Sequence, residues 1–232
     1  MNLTTTIDPP ALLVVLDRLE AAWGMETHPL DRSFGGPLDG LVATLLSQNT
    51  NDRNSEKAFF EMKRQFPSWE KVFEAEGSAL VEAIRIAGLA PTKASRIKEI
   101  LARIRSDFGF YGLDTLRDWK PRKVRDYLES LPGIGPKTAG CVLAFELGMP
   151  SFPVDTHVAR ITRRLGWFSS KQAPAEIQAE LEESVPAERQ AGGHLNFIFH
   201  GRNTCHARKP LCRSCILSDI CPARDSAGLV PS

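Results

Sequence analysis

The chain has 232 residues, of which 42% are hydrophobic and 25% are charged. This composition is typical of a globular protein with one large domain or two small ones. The formal net charge is only +1, so bulk charge predicts no polyanionic partner. No apolar run approaches the roughly 18 residues of a transmembrane helix. The first residues, MNLTTTIDPP, lack the basic and apolar segments of a signal peptide, and we therefore expect a cytoplasmic protein.

Apolar residues recur at helical spacing along most of the chain. Residues 11–23 form a predicted helix that is apolar on most sides and should be well buried. Apolar stripes at i, i+3 and i+4 also run through 38–46, 97–108 and 124–131, and 175–184 is amphipathic. Convincing alternation of the kind found in strands is absent. The pattern predicts an all-α protein.

Polar residues and prolines mark where the predicted helices begin and end. Ser68, Ser78 and Thr92 fit the N-cap position, because their hydroxyl groups can accept hydrogen bonds from the first backbone N–H groups. The segment LGMPSFPVD (147–155) has a glycine and two prolines between two helical patterns. It predicts a boundary between two parts of the chain.

The charged residues are unevenly distributed. Only basic charges occur between Asp155 and Glu176, and again from Phe197 to Ser218. Each stretch fits an electropositive face that could meet phosphates, and each fits a solvated surface equally well.

Four of the five cysteines fall within 17 residues, spaced Cys205-x6-Cys212-x2-Cys215-x5-Cys221. Four thiolates this close can hold a [4Fe–4S] cluster or a tetrahedral zinc ion. The long x6 and x5 arms favour the bulkier cluster, and two disulfides are a third reading. The fifth cysteine, Cys141, lies in an apolar run and fits a buried core thiol.

The segment LPGIGPKTAG (131–140) predicts a hairpin between two helices. Gly133 and Gly135 fit a tight turn, and Pro136 fits the first turn of the next helix. Free N–H groups at a glycine-rich turn can bind a phosphate, although an ordinary helical hairpin has the same turn chemistry. Lys137 is unusual because the positive end of a helix dipole favours acidic residues.

Three motifs together resemble the helix–hairpin–helix DNA glycosylases of the endonuclease III family. They are LPGIGPKTAG, then PVDTHVARITRRLGW (153–167), then the four-cysteine spacing, and they occur in the family's order. LLSQNTND (45–52) and AGLAPTKA (87–94) resemble two further family segments. The likeness covers roughly residues 35 to 221.

The resemblance implies a two-lobed all-α fold. A six-helix barrel lobe with the hairpin would comprise 38–149, and an iron–sulfur lobe would combine 1–37 with 150–221, leaving 222–232 as a flexible tail. A [4Fe–4S] cluster would be held by Cys205, Cys212, Cys215 and Cys221. Double-stranded DNA with a damaged base or an abasic site would bind across the cleft. We expect a monomer associated with the nucleoid.

The resemblance also assigns DNA-binding residues. The hairpin residues Gly133, Ile134 and Gly135 would hold a phosphate, often with a bound monovalent cation. Asn49 would fill the gap left by the extruded base, and Leu89 would wedge into the opposite strand. Asn49 could instead cap the following helix, and Leu89 could be a core residue.

Lys137 and Asp155 are the implied catalytic residues. A neutral lysine amine can attack C1′, displace the base and leave a Schiff base, after which β-elimination cuts the strand. A helix N-terminus and partial burial both favour a neutral amine. The Asp155 carboxylate would stabilise positive charge at C1′ and assist proton transfer. The plain alternatives are a surface lysine and an aspartate N-cap.

The sequence therefore predicts a bifunctional DNA glycosylase and AP lyase for oxidised pyrimidines such as thymine glycol. The alternatives are a monofunctional mismatch glycosylase acting on adenine or thymine, and a non-catalytic DNA-binding module. Lys137 argues against the first alternative, because such relatives generally lack the lysine, and the presence of both Lys137 and Asp155 argues against the second. The chain departs from many relatives at Asn49, at Ala90 and in the longer connection 106–122, which bear on lesion range and efficiency.

Overall fold

The structure, a computed structural model, describes residues 10–24 and 33–224. All regular secondary structure in these residues is helical, which confirms the all-α prediction. Their α-helices are α1 (Leu12–Trp23), α2 (Pro37–Leu46), α3 (Asp52–Gln65), α4 (Trp69–Glu74), α5 (Gly77–Ala83), α6 (Ala90–Phe108), α7 (Pro121–Glu129), α8 (Pro136–Phe145), α9 (Thr156–Arg164), α10 (Pro174–Ser184) and α11 (Gln190–Asn203).

The described residues form two compact units, each with its own hydrophobic core. The hairpin unit comprises 33–149, and the cysteine unit joins 10–24 to 150–224. The change of unit after Met149 falls in the proline- and glycine-containing segment 147–155. Most of the tail expected at 222–232 lies outside the described residues.

The core of the hairpin unit is built by the apolar stripes of its helices, including Leu41, Leu45 and Ile97, which are fully buried. Helices α2 and α8 pack so closely that a Cβ on Gly40 would lie 2.2 Å from Cγ of Glu146. The Glu146 carboxylate accepts hydrogen bonds from the Ser33 hydroxyl (2.6 Å) and the Phe34 N–H (3.0 Å). Glu146 therefore fixes the chain segment that leads into α2.

In the cysteine unit, α1 is held against the rest by side chains at its edges. Arg189 forms ion pairs with Asp17 (2.7 Å) and Glu20 (2.6 Å), and Arg18 pairs with Asp219 of the cysteine loop. The prediction that α1 is well buried is wrong. Its buried residues are Val15, Leu16 and Leu19, whereas Leu13 and Val14 are 48% and 42% exposed. Among the described elements, the main packing partner of α1 is α11.

The predicted N-caps are partly wrong. Ser68 caps α4, and its hydroxyl accepts the Lys71 N–H at 3.3 Å. Ser78 and Thr92 lie inside α5 and α6 instead, because these helices begin at Gly77 and Ala90. The residue before α6 is Leu89, whose side chain makes no capping hydrogen bond.

Candidate active site and cysteine cavity

The turn between α7 and α8 has the form that its sequence predicts. Gly133 has a φ of +75°, which favours glycine, and both Gly133 and Gly135 are exposed. Among the described residues, no partner accepts a hydrogen bond from either glycine N–H. The Ile134 N–H donates to the Leu131 carbonyl (3.2 Å), and its side chain is buried in the core. The glycines therefore present donors to solvent, while Ile134 anchors the turn.

Lys137 is the second residue of α8 and is half-buried. The first turn of α8 contains no acidic residue, and its N-cap, Gly135, has no side chain to accept a hydrogen bond. The lysine therefore lies at the positive end of the helix dipole without an acid on the same turn.

Asn49 and Leu89 are both exposed on left-handed backbone, with φ of 55° and 49°. Among the described non-glycine residues, only Lys209 shares this feature. Asn51, not Asn49, caps α3, since its Oδ1 accepts the Asn54 N–H at 2.9 Å. Leu89 is 58% exposed and is therefore not a core residue. The plain structural alternatives for Asn49 and Leu89 are thus both excluded.

Sequence reasoning missed the contacts of three side chains that lie near the hairpin or near the turns carrying Asn49 and Leu89. Gln48 donates to the Gly133 carbonyl (3.2 Å) and the Thr138 hydroxyl (3.3 Å). Arg96 lies against the hairpin, with its Cδ 2.7 Å from where a Cβ on Gly133 would be. Lys93 is 2% exposed. The available signal for Lys93 was its spacing, because it continues the buried stripe of α6.

Asp155 lies in the cysteine unit, where it is the N-cap of α9. Its Oδ1 accepts the Val158 N–H at 2.8 Å, which fixes the orientation of the half-buried carboxylate. His157 packs against Gly201, where a Cβ would meet its ring, and its Nδ1 lies 3.0 Å from Nη2 of Arg160. Burial lowers the pKa of His157.

All five cysteines are free, so the structure contains no disulfide. Four of them line one cavity, together with Arg164 and His200; they are Cys205, Cys212, Cys215 and Cys221. In the described part of the chain, no three His, Cys, Asp or Glu side chains converge as the ligands of a single metal ion would. The four thiols therefore share the lining of one cavity.

Hydrogen-bond donors surround the thiols. Arg164 Nη1 donates to Cys205 Sγ (3.1 Å), the Leu217 N–H donates to Cys215 Sγ (3.4 Å), and His200 Nε2 lies 3.6 Å from the same sulfur. Burial raises the pKa of Cys215, and the neighbouring thiols raise it further by repulsion between thiolates. Burial also raises the pKa of Cys221. Four thiolates in this cavity would require a positive centre between them.

The first basic stretch serves mainly to hold loops in place. Arg160 donates to the Cys205 carbonyl (2.8 Å), Arg163 to the Gln172 carbonyl (2.6 Å) and Arg164 to the His206 carbonyl (2.7 Å). In the second stretch the basic residues of the cysteine loop are exposed, namely Arg208, Lys209 and Arg213. These three residues give the cysteine loop an electropositive surface.

The family model described as "HhH-GPD superfamily base excision DNA repair protein" matches residues 42–187. The chain belongs to the HhH-GPD superfamily. It is 34% identical to the endonuclease III of Sulfolobus acidocaldarius over 183 residues, which cover 78% of this chain and 79% of the relative. The chain is therefore a base excision repair DNA glycosylase of the endonuclease III type.

A candidate DNA glycosylase of Arabidopsis thaliana is 40% identical over 172 residues, which cover 74% of this chain. The matched region spans 59% of the length of that relative. The solved structure of a trapped endonuclease III–DNA covalent intermediate has a TM-score of 0.80 and 28% identity, covering 93% of this chain and 96% of that one. No helix in the described ranges has the length and apolar character needed to span a membrane.

Proposed function

We propose that this glycosylase removes oxidised pyrimidines of the thymine glycol type from double-stranded DNA and then cleaves the strand at the abasic site. The observation that carries the proposal is Lys137 at the start of α8, directly behind a turn whose glycine N–H groups are exposed. Such a turn binds a phosphate of the DNA backbone. A phosphate bound there would bring the sugar of a neighbouring nucleotide towards the lysine.

The proposed reaction begins with the neutral amine of Lys137. Its lone pair forms a bond to C1′ of the damaged nucleotide, and the bond to the base breaks, so that the base leaves with the electron pair and takes up a proton. The sugar ring then opens to a Schiff base. Loss of a 2′ proton expels the 3′ phosphate with the electrons of its C–O bond, and water releases the enzyme from the product.

A lysine of ordinary pKa is neutral in only about one molecule in a thousand at a pH of about 7.4. The position of Lys137 at a helix N-terminus, half-buried, favours the neutral amine that the reaction requires. A solved relative was trapped as a covalent DNA intermediate, which supports a covalent mechanism here.

Asp155 would stabilise the positive charge that develops at C1′ as the base leaves, and would relay protons. Its cap on α9 holds the carboxylate in one orientation, so less reorganisation accompanies the reaction. Asn49 would enter the gap left by the extruded base, and Leu89 would separate the opposite strand. Their exposure on left-handed backbone supports these roles.

The cysteine cavity fits a [4Fe–4S] cluster. The donor set is four thiols that line one cavity, and four cysteine thiolates are the usual ligands of such a cluster. When bound, the cluster would supply a compact positive centre for the thiolates and cross-link the loop.

The presence of the cluster predicts about four iron atoms per chain. A Cys215→Ser variant should lose most of the cluster's visible absorbance, whereas a Cys141→Ser variant should keep it.

Two smaller expectations accompany this function. Backbone carbonyl groups such as those of the hairpin can coordinate a monovalent cation, and such a cation would help to neutralise the bound phosphate. A monomer associated with the nucleoid suits an enzyme that scans double-stranded DNA.

Product analysis tests the proposal against its alternatives. The protein is incubated with a duplex carrying one thymine glycol, and both base release and strand cleavage are followed. The proposal predicts both products from wild type and cleavage by β-elimination. Base release without cleavage would support a monofunctional glycosylase, and activity on a mismatched adenine or thymine would support the mismatch reading. Binding without either product would support a DNA-binding module.

A further inference from the structure

Lys93 is the most deeply buried charged side chain near the proposed site. It lies in the first turn of α6 with 2% of its surface exposed. Lysine is almost never buried this fully without a partner. Within the described residues it forms no ion pair, and both of its hydrogen bonds go to backbone carbonyl groups.

The two acceptors occupy corresponding places in the chain. Nζ donates to the Leu46 carbonyl (2.8 Å) and to the Ala87 carbonyl (2.9 Å). Leu46 is the last residue of α2, and Ala87 is the last residue of the 3-10 helix Arg85–Ala87. Carbonyl groups at helix ends lack partners within their own helix. One ammonium group therefore donates hydrogen bonds to the free carbonyl groups at two helix ends.

Each of these helix ends leads directly into one of the left-handed residues. Asn49 follows Leu46 by three positions, and Leu89 follows Ala87 by two positions. Both residues are exposed with positive φ. A backbone held in a sparsely populated conformation persists only where its surroundings fix it. The hydrogen bonds of Lys93 are the shared fixing point of these two turns.

We propose that Lys93 is a positioning residue. It holds the turn after α2, which carries Asn49, and the turn before α6, which carries Leu89, at a fixed separation. The inference rests on the proposed function, in which these two residues enter the DNA together. Asn49 would occupy the gap while Leu89 parts the opposite strand, so the duplex opens only if both turns are held in register. Lys93 itself touches neither DNA nor the reacting atoms.

The test compares Lys93→Met with Lys98→Met as a matched control. Lys98 also lies on α6 and donates to a helix-end carbonyl, that of Ala75, but this carbonyl is remote in sequence from both turns. Methionine keeps most of the length and the apolar stem of lysine and removes the donor. Two readouts are needed: hydrogen–deuterium exchange of the free protein, and fluorescence of 2-aminopurine placed opposite a thymine glycol.

Lys93→Met should speed exchange at both turns and slow duplex opening and base release by roughly 10- to 100-fold. Binding to undamaged duplex and Schiff-base trapping on single-stranded abasic DNA should stay at the wild-type level. Lys98→Met should leave the two turns and duplex opening unchanged at an equal folded fraction. If Lys93→Met does not fold, Lys93→Gln, which keeps a shorter donor, should show the same effects in weaker form.

Wild-type exchange at either turn in the Lys93 variants would overturn the proposal, and so would loosened turns with unchanged duplex opening. Failure of the proposed function has a different signature. The wild-type protein would then neither open the damaged duplex nor form a Schiff base, while the exchange measurement would still decide whether Lys93 holds the two turns.

Discussion

Leu89 is held in a conformation that its own side chain disfavours. A left-handed φ of 49° costs a residue such as leucine about 1–2 kcal/mol, and its exposed side chain recovers little of this by burial. Backbone strain at an exposed apolar residue is the pattern expected where function outweighs stability. Asn49 is less strained than Leu89, because asparagine tolerates the left-handed region of backbone conformation.

Leu89→Asn should therefore raise the free energy of unfolding by about 1 kcal/mol while slowing base release from duplex DNA. Urea denaturation and single-turnover kinetics measure the two effects. Ile86→Asn is the control, because Ile86 is 48% exposed but has an ordinary backbone, and this variant should gain no stability. A Leu89→Asn variant that is less stable than wild type would contradict this account.

The burial of Lys93 should make the stability of the protein depend on pH. Burial lowers its pKa, so between the lowered value and the ordinary value of about 10.4 the unfolded chain binds a proton that the folded chain lacks. The stability of wild type should therefore rise with pH across this window relative to Lys93→Met. Denaturation at several pH values from neutral upward measures the difference. A difference that stays constant with pH would refute the lowered pKa.

At the scale of elements, the contact between α2 and α8 sets the geometry of the hairpin unit. The C-terminal end of α2 leads to Gln48 and Asn49, and the N-terminal end of α8 carries Lys137. Gly40 allows the two helices to approach, and Gln48 then ties the turn after α2 to the hairpin. The spacing between Asn49 and Lys137 therefore depends on this contact.

Gly40→Ala should lower the free energy of unfolding by about 1–3 kcal/mol, because the new methyl group would overlap Glu146. The Glu146 side chain cannot simply move aside, since Ser33 and Phe34 hold its carboxylate. Gly77→Ala in α5 is the control. Its methyl group would meet open space and should stabilise the protein slightly. Equal effects of the two variants in thermal denaturation would contradict the close packing.

Arg96 is a cation positioned by α6 against the exposed hairpin. Among the described residues it has no ion pair. Arg96→Ala should weaken binding to an abasic-site duplex and reduce the slope of log affinity against log salt by about 1. Arg103→Ala provides the comparison, because Arg103 on the same helix already pairs with Asp107 at 2.7 Å. Fluorescence anisotropy across a salt series should separate the two, and an unchanged slope for Arg96→Ala would count against a phosphate contact.

Local sequence signals predicted some elements well and others poorly. The hairpin was predictable because Gly133, Gly135 and Pro136 act through their own backbone. The exposure of Leu13 and Val14 was not, because burial of α1 depends on how much of its surface α11 covers. The start of α6 at Ala90 was missed because Leu89, a residue without a polar cap, precedes it.

At the scale of the whole molecule, the all-α class and the motif order pointed to the fold that the family comparison gives. The connections made by Lys93, Gln48 and Arg96 could not be predicted, because each joins segments that are far apart in sequence. The cysteine spacing predicted a shared centre, and all four thiols indeed line one cavity. Arg164 and His200, which also contact those thiols, come from α9 and α11, and no local motif reveals their position.

The proposed reaction depends on a covalent bond between Lys137 and C1′. The most direct measurement is borohydride reduction of the protein incubated with a duplex carrying a thymine glycol, followed by mass spectrometry of the linked peptide. We expect a DNA adduct on Lys137 that disappears in Lys137→Ala, while that variant still binds DNA. An adduct on another residue, or none with either thymine glycol or an abasic site, would contradict the lysine mechanism.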